Sequence, residues 1–319
     1  MSSFASHRID TPLSKIEDRK LNVYDSAIEL LGNTPLLYLN RINPYKTPVA
    51  AKLEWYNPWG SIKDRIAYHM LKREEELGTL GRGEKKLIEA TSGNTGIGLA
   101  AVANILGYNL EISITEEINK ETEKMLELLG ARVEKIPSEF FCPSATGVGP
   151  ISFARSMAMK NRGYFMLDQY KSGFNPETHY LTTGPEIWRQ TKGKVTHLVV
   201  GIGTGGTIVG VGKYLKEKSK EIKVIGVQQP KDEDIYGLRN LEAWTPEVYD
   251  PSVVDEVREV SLKDAMDALR ELARKEALLV GPSSGANAHE SLQVAKEVDG
   301  GLIVTIFPDR VEKYLSILR

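Results

Sequence analysis

Short apolar runs that alternate with helical segments constrain this chain more than any other feature. Runs at 86–88, 110–114 and 133–136 are separated by helical stretches at 96–106 and 119–129, each closed by a glycine, Gly107 or Gly130. Strand, helix and strand at that spacing form βαβ units, which demand a parallel sheet covered by helices. The pattern lapses between Pro137 and Pro150, where Pro, Ser and Gly surround Cys142 and a surface connection is expected. It resumes with strands at 164–169, 196–200, 224–229, 278–280 and 302–306, and helices running up to Lys218, over 262–275 and over 286–298. The expectation is an α/β protein with two parallel-sheet units.

Composition narrows the function. Across 319 residues, 41 basic and 43 acidic side chains leave a formal net charge of −2, which offers neither a nucleic-acid footprint nor an anchor for anionic membranes. Cys142 is the sole cysteine, so no internal disulfide framework and no thiol-based metal site is expected, and a cytoplasmic protein follows. No run approaches membrane-spanning length. Residues 1–23 are polar with charges of both signs and read as an extension, neither signal peptide nor anchor.

One turn stands out within this frame. In NPWGSIKDR, residues 57–65, Asn57, Pro58 and Gly60 end a strand that runs from Val49 towards Trp55, and Ser61 is a fair N-cap for a helix over 64–77. That helix is expected to bury Ile66, Met70 and Leu77 along one face and to stop at Gly78. Lys63 would then stand at a positively polarised helix start beside Arg65, and both should lower its pKa. A neutral amine is the form that condenses with a carbonyl; the plain alternative is a solvated lysine.

Ligands of open α/β sheets bind where strands end and helices begin, and three loops of that kind are conspicuous. TSGNTG (91–96) brings hydroxyls, an amide and backbone N–H groups to a helix start, as an ordinary capping cluster or as a site for a carboxylate. GIGTGGT (201–207) matches G-x-G-x-x-G, yet the next strand ends in Gln228 and Gln229 where a dinucleotide site needs an acid, so a single phosphate suits it better. GPSSGAN (281–287) places two serines at a helix start, either as caps or as a partner for a heteroaromatic nitrogen.

Together with LGNTP (31–35), HYLTTGPEIW (179–188) and KYLS (313–316), these motifs closely resemble the cysteine synthase and cystathionine β-synthase group of fold-type II pyridoxal-phosphate enzymes, from about Tyr24 to Ser316. The resemblance implies two three-layer α/β domains with mostly parallel sheets, similar to the tryptophan synthase β chain. The smaller, mobile domain would span 57–168 and the larger one 24–56 plus 169–319, usually in a homodimer. It implies pyridoxal phosphate as cofactor, no metal, and Lys63 as Schiff-base lysine and acid–base group. Asn94 would bind the cofactor's 3′-oxygen, Gly203, Thr204, Gly205, Gly206 and Thr207 its phosphate, and Ser283 its pyridine nitrogen. A neutral hydroxyl there limits the pull of the ring on a carbanion and favours elimination over transamination. Thr91, Ser92, Thr95 and Gln169 would take the substrate carboxylate.

The activity so implied is β-replacement through an aminoacrylate, ending in addition of a thiol nucleophile. DIYGLRNLE (234–242) further resembles the segment of O-phosphoserine-dependent cysteine synthases in which an arginine meets the substrate phosphate. Arg239 would take that role, since a guanidinium matches a phosphate dianion and has no charge to pair with in an acetyl ester. The expected reaction is L-cysteine from O-phospho-L-serine and sulfide. O-acetylserine sulfhydrylase and cystathionine β-synthase are the alternatives, and a catalytically silent binding homologue is the outsider. No haem-binding or regulatory domain is expected beyond KYLS.

Overall fold

The computed structural model describes residues 23–81, 83–115, 118–136 and 149–316; all but Val23 of the 1–23 extension, Cys142 and nearly all of the 137–150 connection lie outside them. In chain order the elements are β1 (Leu36–Tyr38), β2 (Val49–Leu53), α1 (Lys63–Glu76), β3 (Lys86–Ala90), α2 (Asn94–Leu106), β4 (Leu110–Thr115), α3 (Lys120–Leu128), β5 (Arg132–Ile136), α4 (Pro150–Lys160) and β6 (Tyr164–Met166). They continue with α5 (Phe174–Leu181), α6 (Thr183–Gln190), β7 (His197–Gly201), α7 (Gly206–Lys218), β8 (Lys223–Gln228), β9 (Glu256–Glu259), α8 (Leu262–Glu271), α9 (Pro282–Glu297) and β10 (Ile303–Phe307).

Two sheets result, as the alternation requires. One runs β1-β2-β10-β7-β8-β9 with only β1 antiparallel, and the other is the wholly parallel β5-β4-β3-β6. Helices cover both faces, so the central strands β2 and β10 are buried at every residue and do not alternate, with Lys52 in β2 as the one charged residue of the pair. Two apolar clusters fill the faces of the larger sheet, one around Phe307 and Val280 and one around Val200 and Ile208. A third, around Met70, Leu99 and Ile112, packs α1 and α2 on the smaller sheet. The chain crosses between sheets twice, once between β2 and α1 and once after β6.

Four local expectations are corrected. Residues 278–280 form no strand: the chain passes through a π-helical turn, Leu272–Glu276, and a left-handed Ala277, and β10 already has β2 and β7 on its two edges. Only Val280 pairs, as a single bridge to Arg310. β9 was missed because EVRE is a charged edge strand without an apolar run. The helix α1 starts at Lys63, with Ser61 one residue outside the cap position; its Oγ accepts from Lys63 N at 3.2 Å and donates to Asp64 at 3.1 Å. Its buried face is Ile66, Ala67, Met70 and Leu71, while Leu77 is exposed at the helix end.

Arg65 does not face Lys63's surroundings as a free charge. Its guanidinium is buried in a bidentate pair with Glu54, at 2.7 and 2.9 Å, and another with Glu186, at 2.7 and 2.8 Å. The buried Lys52 of β2 joins Glu186 at 2.7 Å and donates to the Thr34 carbonyl at 2.5 Å. The cluster therefore ties α1 to β2 and α6. Burial opposes the charge on Glu186, but Arg65 and Lys52 outweigh it and hold its pKa at about 2, below the ordinary 4.5.

Replacing Glu186 by Gln leaves the two buried cations, Lys52 and Arg65, with Glu54 as their one remaining carboxylate, and should lower stability by about 3–5 kcal/mol in urea unfolding near neutral pH. The depressed carboxylate contributes stability above its ordinary pKa and loses it as pH falls from 4.5 towards 2. The gap between wild type and Glu186→Gln should therefore close over that interval, and a pH-independent gap contradicts the charge assignment.

Candidate active site

The loops that follow β2, β3, β7 and β10 converge with the start of α9 on one cavity. Its lining includes Lys63, Asn94, Gly203, Thr204, Gly205, Thr207 and Ser283, so residues read from four separate motifs meet in one place. Gly237, Leu238 and Tyr314 complete the wall.

Lys63 lies deep in this cavity, and burial lowers its pKa to about 8; Asp309 works against that fall and Arg239 adds to it. The direction agrees with the sequence reading but the cause does not, because Arg65 is neutralised by Glu54 and Glu186. At neutral pH a useful fraction of this amine is unprotonated, which fits it for addition to a carbonyl and for taking a proton from carbon.

The phosphate-shaped loop is a close-packed cradle. Gly205 caps α7 with φ of +86°, a conformation that side chains disfavour, and a Cβ on Gly203 would lie 2.5 Å from the carbonyl oxygen of Gly237. Thr204 Oγ1 accepts from Gly206 N at 3.3 Å and from Asn175 Nδ2 at 2.9 Å. Behind Thr207, His179 is buried between two hydroxyls, Thr207 at 3.2 Å and Thr183 at 3.0 Å. Burial first, then Lys63 and Arg65, push its pKa well below the ordinary value, so it is a neutral ring. An anion here would be met by N–H dipoles and hydroxyls at a helix start.

Ser283 is buried at the second position of α9, and within the first two turns Ser284 Oγ and Asn287 Oδ1 are buried without hydrogen-bond partners among the described residues. A cavity with an amine of lowered pKa, an anion cradle, an amide and a hydroxyl fits the donor set that pyridoxal phosphate requires: aldehyde, phosphate, phenolic oxygen and ring nitrogen.

Thr91, Ser92, Thr95 and Gln169 do not line the cavity itself. Thr91 and Ser92 form the turn after β3, while Thr95 is buried and donates to Gln169 Oε1 at 2.7 Å. Gln169 in turn donates one N–H to the Ala90 carbonyl at 3.2 Å, and no acceptor among the described residues takes the other. Below them Glu89 takes the Asp168 N–H at 2.8 Å; burial and then Asp168 raise its pKa to about 8, which makes it a neutral acid at the strand end.

Arg239 stands apart from the lining. Its guanidinium lies 4.9 Å from the Tyr170 ring centre and 5.0 Å from that of Trp244, and Nη2 donates to the Tyr170 hydroxyl at 2.7 Å. Among the described residues no carboxylate pairs with it. Asn175, His179, Tyr170, Trp244 and Asp309 gained no role from the sequence. FNPETHY carries Asn175 and His179 and PDR carries Asp309, but nothing in residue spacing announces a buried neutral histidine or two rings packed against an arginine.

Residues 28–309 match the family described as pyridoxal-phosphate dependent enzymes. Cysteine synthase B of Salmonella typhimurium is 39% identical over 291 residues, covering 90% of this chain and 93% of that protein. The cysteine synthase of Aquifex aeolicus is 40% identical over 304 residues, covering 92% of this chain and 91% of that one. The crystal structure of O-acetyl serine sulfhydrylase isoform 3 from Entamoeba histolytica superposes with a TM-score of 0.86 at 30% identity, over 94% of this chain and 92% of that chain.

The lowered pKa of Lys63 is directly measurable. Reductive methylation of the ligand-stripped chain across a pH series, read by peptide mass spectrometry, should label Lys63 with a midpoint near pH 8. Ordinary lysines label with midpoints roughly two pH units higher. A midpoint for Lys63 in that ordinary range removes the argument from burial.

Proposed function

Because the chain belongs to the family of pyridoxal-phosphate-dependent enzymes, we propose that it makes L-cysteine from O-phospho-L-serine and sulfide by β-replacement at the cavity around Lys63. In this reading Lys63 would hold the cofactor's carbonyl carbon, Asn94 its phenolic oxygen, Gly203, Thr204, Gly205, Gly206 and Thr207 its phosphate, and Ser283 its ring nitrogen. Thr91, Ser92, Thr95 and Gln169 would take the amino acid's carboxylate. Bound pyridoxal phosphate supplies a sink for the electron pair left at Cα.

The remaining work falls to side chains. Neutral Lys63 Nζ takes the Cα proton, and its ammonium form can return one to Cα or to the departing group. The unspent N–H of Gln169 and the backbone N–H groups before α2 orient the carboxylate, so that the scissile bonds face Lys63. Ser283 offers the ring nitrogen a hydroxyl rather than a carboxylate, which disfavours a ring proton and with it transamination.

The observation that carries the choice of donor is the state of Arg239. It is a guanidinium packed against the adjoining rings of Tyr170 and Trp244, close enough to depress the pKa of Lys63, and no carboxylate among the described residues neutralises it. A phosphate dianion on the substrate's β-carbon would satisfy that charge, and a neutral acetyl ester would not.

Two organisational features belong to the same proposal. Residues 57–168 form a smaller domain that closes on 24–56 plus 169–319. The chain pairs as a homodimer through the exposed apolar side chains near its described start, Val23, Tyr24, Leu30, Tyr38 and Tyr56. Sedimentation should give twice the chain mass of 35.4 kDa, and a monomer at assay concentration rejects the pairing.

The loaded enzyme, mixed with each ester before any sulfide is added, should show its visible cofactor band move to longer wavelength with O-phosphoserine and much less with O-acetylserine. In Arg239→Met the half-saturating O-phosphoserine concentration should rise roughly 10- to 100-fold, the worth of charge-assisted hydrogen bonds, with the O-acetylserine response unchanged. A response to O-acetylserine alone overturns the role of Arg239 and leaves the acetyl-ester reading. Absence of any visible band after adding pyridoxal phosphate rejects the assignment of Lys63.

A further inference from the structure

Asp309, in the loop after β10, touches the lysine turn, the start of α2 and the start of α9, and neither its sequence context nor the reaction scheme above uses it. Its backbone is bridged to Ser61 in the lysine turn and accepts from Gly281 N at 3.2 Å at the start of α9. Its buried carboxylate accepts from Asn94 Nδ2 at 2.7 Å and from the Tyr314 hydroxyl at 2.5 Å, both at Oδ2. Oδ1 has no hydrogen-bond partner among the described residues and is pressed against Gly281, where a Cβ would come within 2.1 Å of it. Glycine at 281 is thus what admits a carboxylate at 309.

On the other side of Asn94, Lys313 Nζ donates to Oδ1 at 2.6 Å and to the Gly60 carbonyl at 3.0 Å. A carboxylate can only accept and an ammonium can only donate, so this pair fixes which end of the Asn94 amide is which. The amide oxygen is turned to Lys313 and its Nδ2 to Asp309, with the Tyr314 hydroxyl beside it, on an amide that lines the cavity.

We propose that Asp309, with Lys313, is a positioning residue that locks the Asn94 amide with an N–H towards the cavity, so that the site selects an oxygen acceptor such as a phenolate at that point. The inference rests on the reading of Asn94 as a cofactor contact. Burial raises the Asp309 carboxyl above its ordinary value, while Lys313, Tyr314 and Asn94 favour its charged form. Its negative charge also supports the protonated form of Lys63 against burial.

A double-mutant cycle on cofactor affinity tests this. The equilibrium dissociation constant of pyridoxal phosphate is read from the visible band of the full chain in wild type, Asp309→Asn, Asn94→Ala and the double variant. Each single change should weaken binding by roughly tenfold or more, and the double variant should match Asn94→Ala within a factor of about two, because Asp309 acts through Asn94. Multiplied effects overturn the inference, since a merely structural aspartate weakens binding whether or not Asn94 is present. An unchanged dissociation constant in Asn94→Ala instead rejects the underlying reading of Asn94. If Asp309→Asn does not fold, Lys313→Met removes the other half of the lock and enters the same cycle, with the same outcomes deciding.

Discussion

The position of Lys63 depends on a buried ion cluster two residues along its own helix. Arg65 is gripped by Glu54 and Glu186, and Lys52 completes the charge balance from the middle of β2. Such clusters add little net stability over well-packed apolar groups, but they are intolerant of displacement, because a small shift leaves a charge unpaired in a medium that cannot solvate it. The first turn of α1 is therefore fixed to the larger sheet, although the rest of α1 packs against α2 over the smaller one. An amine placed there inherits that rigidity.

A second consequence of the architecture is a division of electrostatic labour. The cradle at the start of α7 uses dipoles and hydroxyls and keeps its histidine neutral, whereas the formal positive charge near the cavity is that of Arg239, outside the cradle. Anions held by short-range dipoles need a close geometric match, while Arg239, packed against Tyr170 and Trp244, acts as a charge of fixed direction.

Much of this was legible from the sequence because parallel strands buried on both faces leave unmistakable apolar runs, and the loops at their ends carry dense glycine, serine and threonine. Lys63, Asn94, the 203–207 loop and Ser283 were found in that way and do converge on one cavity. The strand expected at 278–280 failed because an apolar triplet looks alike in a strand and in a buried connector; only the left-handed Ala277 and the lack of a free sheet edge decide between them. Strand β9 failed for the opposite reason, as a charged edge with no apolar signal. Arg65 was misread as a free charge because its partners lie 11 and 121 residues away. Asp309 escaped notice because its importance is a matter of how many elements it touches, which residue type and spacing do not encode.

The two chain crossings between the sheets both lie beside the cavity, one just before Lys63 and the other around Asp168 and Gln169. A rotation of the smaller sheet against the larger one about those crossings would have its axis close to Lys63. Displacement grows with distance from an axis, so Lys63 is nearly stationary in such a motion, while β5, at the far edge of the smaller sheet, travels furthest. The same lever works in reverse: a load or a bound molecule at that outer edge acts on the cleft with mechanical advantage, and the amine at the pivot keeps its place while the walls around it move.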